Sequence, residues 1–272
     1  MITATTRVAG VIGDPVRHSL SPRLHNAAYR ALGLDWVYVA FEVADGGAPA
    51  ALEAVRSLNL VGLSVTMPHK SAVAERCDEL SLAAETLRSV NTVTPNDRGG
   101  LTGDSTDGQG FLRALADAGV EPGGRSALVL GAGGAARAVV LALAGGGARV
   151  TVTARRPAAA EVAATLGGGA AIGWDDRAEA AAAADIVVNA TPVGMAGDPT
   201  LPLPAEVIGG GHVVVDLVYE PRETPLLAAA GARGALTVGG LGMLVHQAAL
   251  QVERWTGQAA PVDAMRAAIE GA

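Results

Sequence analysis

A chain of 272 residues, half of them apolar and only 3% aromatic, is long enough for one large or two ordinary domains packed mainly by small aliphatic side chains. Its net charge of −7 argues against general binding to nucleic acid or to anionic membranes. A single cysteine, Cys77, excludes an internal disulfide and any multi-thiolate metal site, so no metal is expected.

The opening MITATTRVAGVIGDP lacks the charged and apolar regions of a secretory leader, and no apolar run reaches the length of a membrane span; a soluble, cytoplasmic protein is expected. Within it, Val8–Ile12 reads as a strand. A helix is expected from about Pro22 to Leu32, with Ser21 as N-cap and Pro22 at the first helical position. A strand at Trp36–Val43, a helix over Ala48–Leu58 and a strand at Val61–Val65 continue the alternation, and Val90–Thr94 with the Gly99-Gly100 turn reads as a hairpin. A second series opens at Ala127. Its further strands are Arg149–Thr153, Asp185–Thr191, His212–Leu217 and Ala235–Val238, and the Ala-rich stretches Ala158–Leu166 and Ala178–Ala184 fit helices between them. Two helices follow from Leu241. Such alternation implies two α/β units of parallel strands with crossover helices, joined near Asp107–Ala118 without a long linker.

The second series carries a cofactor signature. In LVLGAGGAARAVVLAL a strand leads into Gly131-Ala132-Gly133-Gly134-Ala135-Ala136 and then a helix, the context in which G-x-G-x-x-A binds a dinucleotide. Gly131 makes the tight turn, Gly133 lets the backbone approach a pyrophosphate, and Ala136 lets helix and strand pack closely. The next strand ends in VTVTARRP, where a cofactor with free ribose hydroxyls calls for an acid. Ala154, Arg155 and Arg156 stand there instead, which points to NADP(H) rather than NAD.

Lys70 closes the stretch SVTMPHK and is the chain's only lysine, set against nineteen arginines among twenty basic residues. Arginine does not release its proton in a protein, whereas a lysine amine does so readily on burial, so a site that needs a titrating amine cannot accept the exchange. Chance survival under a coding bias is the ordinary alternative. Other dehydrogenase chemistries fit poorly. No Tyr-x-x-x-Lys pair exists, since Thr66 stands four residues before Lys70, and one cysteine with five scattered histidines cannot make a zinc site.

In order along the chain, SLSP (Ser19–Pro22), SVTMPHK, VNTV (Val90–Val93), GDSTDG with Asp104 and Asp107, GAGGAAR, NATPVGM (Asn189–Met195), DLVY (Asp216–Tyr219) and GLGMLVHQA (Gly240–Ala248) resemble the shikimate dehydrogenases. The resemblance spans nearly the whole sequence. It implies reversible, NADPH-dependent reduction of 3-dehydroshikimate to shikimate, on the way to aromatic amino acids. It also implies an N-terminal α/β substrate domain over residues 1–107, completed by C-terminal helices over 240–272, and a Rossmann dinucleotide-binding domain over 108–239.

The same resemblance implies roles for single residues. Lys70 and Asp107 match the catalytic dyad, and the chemistry agrees: a ketone being reduced develops charge on its oxygen, which an ammonium stabilises and protonates. Ser19 and Ser21 match the carboxylate-binding serines. Ser64, Thr66, Asn91, Tyr219 and Gln247 match substrate contacts, and Thr191, Leu217 and Gly240 join Gly131–Ala136, Arg155 and Arg156 around the cofactor. Each has an ordinary reading when taken alone, such as a helix cap for Ser21 or Asp107. His69 and Cys77 receive no role. Ser64 stands where asparagine is common, Arg88-Ser89 where Gly-Ala is usual, and Leu217 where methionine is frequent. These departures bear on substrate breadth. The nearest alternative is a quinate/shikimate dehydrogenase of broader specificity, and a non-catalytic NADP-binding sensor is the alternative from another class. The partner expected is a small-molecule substrate, with no nucleic acid or membrane, in a monomer or homodimer.

Overall fold

β-Branched and aromatic runs form strands where the period-2 pattern places them. In the computed structural model, residues 2–270 are described; positions 1, 271 and 272, at the outer ends of the expected substrate domain, lie outside the described residues. The chain divides into two units, residues 2–106 with 245–270 and residues 107–244.

The first unit runs β1 (Arg7–Gly13), α1 (Ser21–Ala31), β2 (Trp36–Glu42), α2 (Ala48–Ser57), β3 (Gly62–Val65), α3 (Lys70–Ala74), β4 (Glu79–Leu80), α4 (Leu82–Leu87), β5 (Thr92–Pro95) and β6 (Leu101–Asp104). Its sheet has the order β2-β1-β3-β5-β6-β4. β1 is parallel to β2 and β3, as the crossover helices require, and β5 runs antiparallel to β3 and β6, since it opens the expected hairpin. α2 and α3 pack on a core of Leu52, Leu63, Val73, Val93 and Leu101. Gly62 is required by close approach: a Cβ there would come within 2.2 Å of the Trp255 indole, whose Nε1–H donates to Val93 O at 3.2 Å.

The second unit runs α5 (Asp107–Asp117), β7 (Ser126–Leu130), α6 (Gly134–Gly145), β8 (Arg149–Thr153), α7 (Pro157–Thr165), β9 (Ala170–Ile172), α8 (Arg177–Ala182), β10 (Ile186–Asn189), β11 (Val213–Asp216), α9 (Pro225–Ala232) and β12 (Leu236–Gly239). Two helices end the chain: α10 (Gly240–Thr256), which starts in this unit and ends in the first, and α11 (Val262–Glu270), which packs on α1. The order β12-β11-β10-β7-β8-β9, parallel throughout, is that of a doubly wound Rossmann sheet, reversing direction between β7 and β10. Strands buried on both faces explain the unbroken apolar runs. Alternate residues serve opposite faces: Val129, Val188 and Val215 join one core, and Leu128, Val187 and Val214 the other.

One local expectation needs revision. Ser21 is not the N-cap of α1; Leu20 already has helical angles and takes that position without a side-chain bond. The hydroxyl that meets a free N–H there is Ser19's, which accepts from Ser21 N at 3.2 Å. The short elements α3, β4, α4 and β9, and α9 with its nearly uniform apolar composition, carry too little periodicity to be read from sequence. The end of α4 also explains one departure from the family pattern. Arg88 sits at φ 48°, ψ 45°, in the left-handed region that closes a helix, and Ser89 N–H reaches back to Ala84 O. A glycine adopts that conformation without cost, so Arg88→Gly is expected to raise stability by about 1 kcal/mol. An unchanged urea midpoint would show that Arg88 carries no strain.

Candidate functional site

In the first unit the expected substrate residues gather where β3 meets the turn before β5. The register places Ser64 opposite Thr92. One residue further along β3, Val65 N–H donates to Asn91 O (2.8 Å), and Val90 N–H donates to Lys70 O (3.0 Å), so the loop holding Asn91 is tied to the end of β3 and to the start of α3. Lys70 is the first residue of α3 and is half-buried. Thr66, also half-buried, donates its backbone N–H to Ile12 O and lies beside Gly13, where any Cβ would strike its methyl group.

Asn91, Thr106 and Gln247 meet directly. Thr106 N–H donates to Asn91 Oδ1 (2.9 Å), Asn91 Nδ2 donates to Thr106 Oγ1 (3.0 Å), and that hydroxyl lies 3.2 Å from Gln247 O. Ser64 is tied to Tyr38 and Gln251, neither of which the sequence had singled out. Ser19 and Ser21 stand at the start of α1, and the Ser21 side chain reaches the same Tyr38 phenol as Ser64. Beneath it, Asp104 is buried and held by Ser81 and Arg254. Asp107 follows Thr106 in sequence, is buried, and is the first residue of α5.

In the second unit a cavity of about 610 Å³ opens at the point where strand order reverses. Gly131, Ala132, Gly133, Arg155, Arg156 and Thr191 line it, together with Ala154, Ala159, Trp174, Ala190, Pro192, Val193 and Asp198. Gly131 has φ +117°, and a Cβ on it would lie 2.8 Å from Ala190 O, so only glycine fits between β7 and the end of β10. Nothing lies within 4 Å of a Cβ on Gly133 or Gly134. That open cradle sits at the start of the twelve-residue α6, whose N-cap, Gly133, brings no side chain to its first N–H groups. Helix dipole, free N–H groups, empty space above glycine and two exposed arginines make a fitting seat for a phosphate-bearing dinucleotide.

Ala135 and Ala136 begin α6 below the cradle, Ala136 fully buried against the core. Leu217, Tyr219 and Gly240 are not among the cavity walls. Leu217 and Gly240 adjoin each other, since a Cβ on Gly240 would meet Leu217 O at 2.3 Å. Tyr219 is half-buried, and burial, then the charge of Glu220, push its phenol up. Trp174 was missed because no motif marks it. It follows the three-residue β9, and the Arg177 guanidinium lies 4.6 Å over its ring, held by Pro202 O and Trp174 O.

The NATPVGM and DLVY stretches have a common structural cause. Asn189 Oδ1 accepts from the Thr191 hydroxyl (2.6 Å) and N–H (3.1 Å), and Asn189 Nδ2 donates to Val193 O and to Asp216 Oδ1. Asp216 also accepts from Val218 N–H and from the Thr224 hydroxyl (2.6 Å). Burial pushes its carboxyl up, against the pull of those three bonds. This network locks the loops after β10 and β11. Asp198 closes the first of them and is held below the usual carboxylate range by Thr200, through hydroxyl and N–H, and by Gly194 N–H.

Among the described residues, no group of His, Cys, Asp and Glu could hold a metal ion, and no helix is long and apolar enough to cross a membrane. Two family profiles match the two ends of the chain. Residues 11–93 match the profile of the shikimate dehydrogenase substrate binding domain, and residues 240–270 that of the shikimate 5'-dehydrogenase C-terminal domain. The shikimate dehydrogenase (NADP(+)) of Methanopyrus kandleri is 47% identical over 280 residues, covering 98% of this chain and 96% of its own. The crystal structure of shikimate 5-dehydrogenase from Thermus thermophilus in complex with NADP(H) and shikimate has a TM-score of 0.89 at 39% identity, covering 96% of this chain and 98% of that one. Quinate dehydrogenase from Corynebacterium glutamicum in complex with NAD has a TM-score of 0.92 at 32% identity, covering 98% and 99%. Backbone similarity alone therefore does not separate substrates or cofactors.

Proposed function

Because this chain belongs to the shikimate dehydrogenase family, we propose that it is an NADP-dependent shikimate dehydrogenase, reducing 3-dehydroshikimate to shikimate reversibly. In this reading it acts in the cytoplasm, as a monomer or homodimer, on a small-molecule substrate. Residues 1–107 with 240–272 serve as the substrate domain and residues 108–239 as the NADP domain. The two compact units support that division.

The observation that carries the reading is one chain holding both halves of the chemistry. It carries a glycine cradle with Arg155 and Arg156, and no acid, at the end of β8, and also a lysine-led face of amides and hydroxyls. NADPH, when bound, supplies a hydride. Gly131, Gly133 and the start of α6 would hold its pyrophosphate, and Arg155 and Arg156 would meet its 2′-phosphate. As the substrate carbonyl carbon is reduced, its π electrons move to oxygen. Lys70 stabilises that charge and gives the oxygen a proton, becoming a neutral amine that solvent reprotonates. Asp107 accepts from a ring hydroxyl and orients the ring. Ser19 and Ser21 bind the carboxylate, and Ser64, Thr66, Asn91, Tyr219 and Gln247 bind the remaining ring groups. Thr191, Leu217 and Gly240 would complete the cofactor contacts, with Leu217 near the nicotinamide.

The test is nicotinamide absorbance with shikimate or quinate crossed against NADP or NAD. Fast turnover of shikimate with NADP alone is expected; equal rates with quinate and NAD would favour the broader quinate/shikimate enzyme. Replacing both Arg155 and Arg156 by alanine removes charge-assisted bonds to the 2′-phosphate. It should lower kcat/KM for NADP roughly 10- to 100-fold while leaving NAD within a few fold. A uniform loss with both cofactors would remove the arginines from phosphate recognition.

A further inference from the structure

We propose that Gln251 is a positioning residue that fixes the direction of hydrogen bonding on the substrate face of the first unit, so that Ser64 presents an acceptor and no donor. The inference rests on the shikimate reading of Ser64 and Asn91, and it concerns which substrate oxygen Ser64 can hold.

The direction is set at a backbone carbonyl. Asn91 O lies 3.2 Å from Gln251 Nε2, and a carbonyl only accepts, so the amide nitrogen must face it. The same nitrogen donates to Thr92 Oγ1 at 3.0 Å. The Gln251 oxygen therefore faces the other way, 2.8 Å from Ser64 Oγ, and can only accept there. Ser64 must spend its single hydrogen on it. The Tyr38 phenol, 2.6 Å from the same Ser64 oxygen, is then the donor. Burial pushes that phenol far up, which keeps its hydrogen in place. Ser64 is 5% exposed, and Gln251 and Tyr38 are each 1% exposed, so bulk water does not compete for these bonds.

A serine hydroxyl has one hydrogen and two lone pairs. Here the hydrogen and one lone pair are committed, leaving one lone pair. It accepts from a hydroxyl and repels a ketone oxygen, which brings no hydrogen. Ser64 thus selects a ring position bearing a hydroxyl and disfavours the pose that would place the reacting carbonyl against it. Gln251 exerts this from α10, 187 positions along the chain, without itself being placed among the substrate contacts.

Gln251→Met keeps the length and bulk of the side chain and removes the acceptor. The KM for shikimate should rise roughly 5- to 10-fold, the scale of one hydrogen bond, with kcat within a factor of two and the KM for NADP unchanged. Ser64→Ala should cost a similar factor, and the double variant no more than the larger single loss, because one residue acts through the other. A ligand-side measurement covers the case in which Gln251→Met does not fold. Shikimate analogues with one ring hydroxyl at a time replaced by fluorine, which cannot donate, should lose wild-type affinity at one position whose loss vanishes in Ser64→Ala. Additive losses, or fluorine penalties indifferent to Ser64, overturn the inference. A wild type that turns shikimate over while Gln251→Met matches it overturns this inference alone; a wild type inert to shikimate overturns the functional reading with it.

Discussion

Replacing Lys70 by alanine lowers turnover of shikimate roughly 10²- to 10⁴-fold, the scale of one acid–base group, and leaves NADP binding unchanged. Lys70 is not among the residues that line the cradle. Lys70→Arg is the sharper variant. It keeps the positive charge and the long stem, but an arginine does not release its proton in a protein. If Lys70 acts by proton transfer, turnover falls nearly as far as in the alanine variant while the KM for shikimate moves less. If it acts as a fixed charge, the arginine variant keeps most of its rate. Stopped-flow nicotinamide absorbance separates the two. The backbone of Lys70 is pinned by Val90 N–H beside Asn91, so neither substitution is expected to disturb the loop that holds Asn91. Near-normal turnover in Lys70→Arg would show that a titrating amine is unnecessary and that the chain's only lysine is an accident of composition.

Stability in acid should depend strongly on His25. The ring is fully buried, stacked on Tyr38 at 4.0 Å with Trp255 at 5.5 Å, and its Nδ1–H donates to Ser21 O at 2.9 Å. Loss of hydration outweighs that bond and the neighbouring Gln251 side chain, and brings the imidazole from 6.5 down to about 4. On acidification the unfolded chain takes up a proton near pH 6.5, which the folded chain refuses until about pH 4. The contribution is therefore fully present above pH 6.5, declines as pH falls, and is lost below about 4. The difference corresponds to about 3 kcal/mol.

Asp35, Asp78, Asp185 and Asp198 are all held below the usual carboxylate value, so their losses come at lower pH. Asp216 works in the opposite sense: its raised carboxyl takes a proton in the folded state first, offsetting part of the decline. Urea midpoints between about pH 7.5 and 4 test this with His25→Phe, which keeps the ring stack and cannot titrate. Whatever its absolute stability, the variant should show a profile flatter by about 3 kcal/mol across that window. Parallel profiles for the two proteins would place the acid response elsewhere.

Sequence reaches furthest where geometry is local. Gly131, Gly133 and the residues at the end of β8 could be placed because a tight turn, a phosphate-facing backbone and a charge at a strand end are each set within a few residues. Ser21 shows the limit even at short range. Its position before proline suggested a cap, yet Leu20 had already turned into the helix and Ser19 supplied the hydroxyl. Trp174 could not be read as a cavity wall, since it depends on β9 pairing at the far edge of the sheet. Arg88 reads as an unexplained departure in sequence and as a left-handed helix end in the structure.

By itself the sequence determined the two α/β series, the glycine turn with Ala154, Arg155 and Arg156 after the next strand, and membership of a family recognised by motifs in order along the chain. These rest on periodicity, backbone freedom at glycine and side-chain chemistry, which short segments carry whole. Only the tertiary structure decided that the first sheet turns antiparallel after β3, that Trp174 walls the same cavity as Gly131 and Arg155, and that Ser64 spends its hydrogen on Gln251. Those facts depend on strand register and on bonds between residues far apart in the chain. A hydroxyl's direction in particular cannot be read from its identity, because it is set by which neighbours can only accept.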